Sequence, residues 1–210
     1  TSYNIESICM QLDLADSDSA EQLFDLVKKG DLEVDVLVNN AGFGDYGPFH
    51  IEDVERLESM INLNMLTLTK LSRLFAQEMV ERGSGHILNI ASTAAFQPVP
   101  NFAVYAATKA YVLQFSEALA FELKPFGVYV TVVCPGATQS EFQTNAQMNN
   151  MDRMFNTAPL SFMVAEFAYE AMVKKKTTAI HGSVNAFMAF MLRFTPRKLI
   201  VSAAAKMMKA

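Results

Sequence analysis

Residues 87–109 read ILNIASTAAFQPVPNFAVYAATK, and the order of residue types in this stretch decides the fold. Residues 87–91 form an apolar run that reads as a buried strand ending at Ser92. Pro98 and Pro100 then break the pattern, so a loop follows. A helix opens near Phe102 and carries Tyr105 and Lys109. Residues four apart on a helix share a face, so the phenol and the ammonium project side by side. A neighbouring cation favours phenolate and is expected to pull the tyrosine pKa down from about 10. Tyr105 is thereby a candidate general acid and base. Ser92, thirteen positions earlier, supplies a hydroxyl to hold the oxygen being protonated. A lone Tyr-x-x-x-Lys pair fits the solvent edge of a half-buried helix equally well. Strand, serine, loop and helix in that order set this one apart.

Outward from this stretch, apolar strands alternate with helical patterns. Residues 5–12 (IESICMQL) read as a strand followed by Asp13 and Leu14, and residues 17–29 as a helix stopped by Gly30. A short strand over 34–38 leads into Asn39-Asn40-Ala41-Gly42. The run Gly42-x-Gly44-x-x-Gly47 imitates a dinucleotide fingerprint, but Pro48 and Phe49 continue a loop where that motif opens a helix. A mobile loop beside a cleft is expected there. Residues 51–82 read as helical, with a break, and Gly83 and Gly85 end them. A strand over 128–134 precedes Pro135-Gly136, and a polar, Met-dotted stretch over 139–156 is long enough to be a lid or binding loop. A helix over 161–176 and a strand over 178–181 close the regular part. Continuous apolar strands between helices imply an α/β fold, a doubly wound parallel sheet covered on both faces in three layers.

A net charge of −5 gives no reason to expect a nucleic-acid partner. Its distribution is uneven: after Glu170 all eight charged residues are Lys or Arg, so the first 170 carry −13. Cys9 and Cys134 both fall in expected strands and read as small buried hydrophobes, which points to a reducing, cytoplasmic setting. His50, His86 and His181 lack ligand spacing, so no metal is expected. Neither a secretory signal nor a membrane-spanning run is visible.

The stretch around Tyr105 resembles the active site of the short-chain dehydrogenase/reductase family. Three further stretches match that family in order: the Asn39-Asn40-Ala41-Gly42 turn, Asn64 in INLNM, and Pro135-Gly136 after a strand. The resemblance implies a Rossmann-like fold and hydride transfer between NAD or NADP and a small-molecule carbonyl or alcohol. NADP is slightly favoured, although the discriminating positions are not among these residues. By the same resemblance Asn64, Ser92, Tyr105 and Lys109 are catalytic, Asn64 helping to hold a water that links Lys109 to a proton relay. Lys109 depresses the tyrosine pKa and, with Tyr105, meets the nicotinamide ribose. Asn40, Ala41 and Gly42 pass under the adenosine side, Asp13 and Leu14 meet the adenine, and Pro135, Gly136 and Thr138 lie over the nicotinamide, with Ser140 nearby. A homo-oligomer is expected.

The family begins with a strand, a glycine-rich turn and a helix, then a second strand and helix, and none of these is present. Either this sequence is a piece of a longer chain or the protein is a shortened, inactive member; the first reading is preferred. The domain expected over 1–182 is therefore a Rossmann-like unit without its N-terminal strand–helix units, with 183–210 as a basic, apolar helical tail. Pro196 splits that tail into two helices, which either cap the domain or a partner subunit, or lie on a membrane surface. Enzyme, non-catalytic scaffold and membrane-surface protein are thus the three functions to be separated.

Overall fold

The structure is a computed structural model that describes residues 5–148 and 155–208. Four parallel strands, β1 (Val36–Asn39), β2 (Gly85–Ile90), β3 (Val128–Cys134) and β4 (Thr178–Ile180), lie side by side in chain order. Leu37 pairs with Ile87, Ile87 with Val130, and Val133 with Ala179. Each parallel step requires a crossover. Helices α2 (Val54–Ile61) and α3 (Leu68–Arg82) join β1 to β2, and α4 (Ala103–Leu123) joins β2 to β3. The short α5 (Phe142–Asn145) and then α6 (Ser161–Val173) lead to β4. An N-terminal helix α1 (Ser19–Lys29) precedes the sheet, and α7 (Ser183–Met191) and α8 (Arg197–Met207) follow it.

Side chains alternate across the pleat, so each strand serves two cores. One face presents Leu37, Ile87 and Val130 to Val27 of α1 and to Leu71, Phe75 and Met79 of α3. The other presents Leu88 and Val133 to Ala168 and Ala171 of α6. The second layer stops short of β1, where Val36 and Val38 are 40% and 51% exposed. The expected doubly wound arrangement is present.

A buried polar chain runs through the first core. The Asn39 amide donates to Ser72 Oγ (3.1 Å) and to Asn89 Oδ1 (2.8 Å), and the Asn89 amide donates to Ser116 Oγ (2.8 Å). Ser116 in turn donates to the Val112 carbonyl at 2.6 Å. Adjacent strands and two helices are thereby held at one level, because buried amides must be satisfied.

Three expectations are corrected here. Residues 5–12 form no strand, because no described segment runs beside them to complete a ladder. Cys9, expected inside that strand, is accordingly exposed. The helical stretch begins at Val54, and its break is a π-helical segment over Asn62–Thr67 rather than a gap between helices.

Asn89 sits at 0% exposure with both ends of its amide engaged. Replacing Asn89 by Ala leaves the Asn39 amide one acceptor short and Ser116 without its donor, so a loss of about 2–3 kcal/mol is expected. Urea unfolding checks this: the midpoint should fall while the slope stays unchanged.

Candidate active site

In an open parallel sheet the crevice lies beyond the carboxyl ends of the strands. The cleft here has a volume of about 460 Å³ and is lined from three such ends. Asn40 and Gly42 follow β1, Ser92 follows β2, and Pro135, Gly136 and Thr138 follow β3. Tyr105 and Lys109 enter it from the first turns of α4. Most of the wall is apolar, with Val99, Phe102, Phe142, Met148 and Phe155 on one side.

Tyr105 and Lys109 are 7% and 5% exposed. The lysine ammonium lies 5.7 Å from the centre of the tyrosine ring and donates to the Ile90 carbonyl at 2.8 Å. Its remaining N–H groups have no other acceptor among the described hydrogen bonds. The expected depression of the tyrosine pKa by Lys109 is not what the geometry produces. Burial pushes the Tyr105 phenol up to about 12, with a hydrogen bond to Ser92 opposing it, and burial pulls Lys109 down to about 8. Removal from water disfavours the charged form of each. The Tyr105 ring is stacked on Phe102 at 4.3 Å and tilted against Phe142 at 5.3 Å. Ser92 also caps the 3₁₀ turn Thr93–Phe96, accepting from the Ala94 N–H at 3.1 Å.

Asn64 sits in the π-helical segment, a distortion that recurs at functional sites. Its side chain grips the Phe43 backbone in both directions, accepting from the N–H at 3.2 Å and donating to the carbonyl at 2.9 Å. It also donates to Thr108 on α4 at 3.1 Å. Asn64 therefore couples the turn after β1 to the helix that carries Tyr105 and Lys109. The structure does not bring Asp13, Leu14 and Ala41 into the cleft lining. Asp13 Oδ1 accepts from the Ala15 N–H at 2.9 Å, and the Leu14 carbonyl accepts from Thr67 Oγ1 at 2.8 Å.

The glycine stretch after β1, expected to be mobile, is pinned. Buried Asp45 pairs with Arg56 Nε at 2.7 Å, and Gln147 donates to the same carboxylate oxygen at 3.2 Å. Arg56 also donates to the Asn145 carbonyl, and the Tyr46 N–H donates to the Ala146 carbonyl at 3.0 Å. Gly44 serves close approach: a Cβ there would stand 2.6 Å from the Phe102 ring. The loop expected over 139–156 does border the cleft through Ser140, Phe142, Met148 and Phe155, its residues 149–154 lying outside the described ones.

Sequence reasoning missed two supports. Asn185 of α7 lies against Gly136, where a Cβ would meet its amide at 2.6 Å, and its amide donates to the His181 carbonyl at 2.8 Å. The signal was an amide in an otherwise apolar helix, SVNAFMAFM. Met207 and Met208 at the end of α8 line the same cleft, and Tyr46 donates its hydroxyl to the Met208 carbonyl.

Comparison with known proteins agrees with this arrangement. The chain is 39% identical over 139 residues to the very-long-chain 3-oxoacyl-CoA reductase of Rattus norvegicus, a match covering 63% of this chain and 43% of that protein. It is 36% identical over 153 residues to the ketoacyl reductase HetN of a Nostoc species, covering 72% of this chain and 52% of that protein. The chain thus spans about half the length of the curated relatives it matches. Among solved structures, a short-chain dehydrogenase from Sphingobium yanoikuyae in complex with NADPH superposes with a TM-score of 0.75 at 29% identity, covering 88% of this chain and 72% of that one. Residues 2–152 match the sequence profile described as short chain dehydrogenase, and this chain belongs to that family.

Proposed function

We propose that the protein interconverts a carbonyl and an alcohol with NAD or NADP, Tyr105 serving as the acid that protonates the carbonyl oxygen. One observation supports this above the others: a buried tyrosine, a strand-end serine and a buried lysine on the next helical turn all line one apolar cleft. Perturbed titratable groups gathered in a cleft mark functional sites.

The nicotinamide, when bound, supplies or accepts the hydride; the protein supplies position and protons. The residues present suit it. A buried ammonium with donors beyond the one given to Ile90 fits the hydroxyls of a ribose. Lys109 and Tyr105 would hold that ribose, Asn40, Ala41 and Gly42 the adenosine side, and Pro135, Gly136 and Thr138 the nicotinamide. Asp13 and Leu14 remain the adenine contacts of this proposal. Ser92 would hold the substrate oxygen and steady the charge that develops on it.

A tyrosine titrating near 12 is protonated throughout the neutral range, so Tyr105 is poised to donate, as reduction requires. Lys109, titrating near 8, keeps its charge below that pH and loses it as pH rises through it. The substrate read from the wall is an apolar ketone or aldehyde. The name of the Rattus relative adds a 3-oxoacyl-CoA to that class, and that of the Nostoc relative a ketoacyl group.

Tyr105→Phe should lower kcat at least on the order of 10²-fold with the fold retained. The check is reduction of apolar aldehydes, ketones and 3-oxoacyl thioesters by the full-length protein with NADH and with NADPH; a rate equal to the parent's rejects the assignment. A second expectation concerns the proton itself. The ultraviolet difference titration of the parent protein minus Tyr105→Phe should show no phenolate until pH exceeds about 11. A phenolate signal growing in between pH 6 and 9 would mean that Lys109 outweighs burial after all.

A further inference from the structure

Helix α7 turns its apolar stripe the wrong way for a core helix. Val184, Phe187, Met188 and Met191 recur at the spacing of one helical face, and all four are exposed, Phe187 at 65%. Only Ala189 of α7 is buried. Phe190 and Phe194 pack edge to face at 5.3 Å and extend the same apolar surface, as does Leu199 on α8. Helix α8 is ordered by its opposite side, where Ile200, Ala204 and Met208 are buried.

The rim of this surface is cationic. Arg193, Arg197 and Lys198 are exposed, and none of them forms an ion pair among the described residues. No acidic residue follows Glu170 in the sequence. Beside the stripe is a second cavity of about 280 Å³, lined by Arg193, Thr195 and Arg197 together with Phe96, Pro98 and Ile200. Two arginine side chains over an apolar floor match a phosphate whose other end is hydrocarbon. A second copy of the chain is a poor occupant, because a two-fold contact sets the patch against itself and brings like charges together. No described helix is long and apolar enough to cross a bilayer, so the surface suits a helix lying on one.

We propose that the α7–α8 face docks on an anionic lipid surface, with Val184, Phe187, Met188 and Met191 entering the acyl boundary and Arg193 and Arg197 taking a lipid phosphate. The proposal rests on this surface alone and does not depend on the reaction assigned above. The experiment is co-sedimentation of the full-length protein with neutral phosphatidylcholine vesicles and with vesicles containing roughly one-third phosphatidylglycerol. Binding should occur to the anionic vesicles, weaken in high salt, and resist competition by soluble glycerol phosphate. Arg193→Glu with Arg197→Glu should lower partitioning at least on the order of tenfold, since each basic residue near such a surface contributes about fivefold, or about 1 kcal/mol. Val184→Ser with Phe187→Ser tests the apolar half and should lower partitioning by a similar factor. All four positions are exposed and outside the catalytic cleft, so the thermal unfolding midpoint should be unchanged in both variants, which shows that they fold. Several results overturn the proposal: no vesicle binding, equal binding to both lipids, displacement by glycerol phosphate, or a dimer in the parent that the serine variant dissolves.

Discussion

A lysine ammonium held out of water must find acceptors, and the nearest for Lys109 is the Ile90 carbonyl at 2.8 Å, the last residue of β2. Much of the site depends on that one bond. It fixes the first turns of α4 against the end of the strand that delivers Ser92. Because Tyr105 lies one turn earlier on the same helix, it is carried into the cleft that Ser92 also lines. The cost of burying the charge appears as the lowered pKa of Lys109, and the same dry surroundings raise that of Tyr105. Phe102 and Phe142 against the tyrosine ring keep water from relieving either shift.

Around that bond the chain uses buried amides as cross-braces. Asn39, Asn89 and Ser116 join β1, β2 and α4 in depth, while Asn64 joins the turn after β1 to α4 nearer the cleft. Both braces run across elements that are remote in sequence. Apolar contacts alone allow small sliding of a helix on a sheet, whereas a satisfied amide accepts one geometry. Asp45 and Arg56 do for the glycine loop what the amides do for the sheet, and the outcome is a cleft wall of fixed shape rather than a flexible flap.

The two C-terminal helices divide their duties by face. The inward sides of α7 and α8 support the site, through Asn185 under Gly136 and Met208 against the wall that contains Tyr105. The outward sides carry exposed Phe, Met and Val beside Arg and Lys that form no ion pair among the described residues. What the described tail buries is Ala189, Ile200, Ala204 and Met208, while Phe187, Phe190 and Phe194 stay exposed.

The sequence alone determined the strand–serine–loop–helix order around residues 87–109, the bounds of β3 over Val128–Cys134 and the split of the tail at Pro196. These are local: apolar runs, prolines and glycines act on the backbone where they stand. The grouping of Ser92, Tyr105 and Lys109 was legible for the same reason, because helical spacing and a strand end suffice to put them together. Tertiary structure decided whatever depends on a distant partner. Residues 5–12 have strand character but join no ladder among the described residues, and Gly44 looks flexible until Phe102 is set against it. The sign of the Tyr105 shift reversed because burial is a property of everything packed around a residue, Phe142 from a later loop included, and no spacing between Tyr105 and Lys109 encodes it.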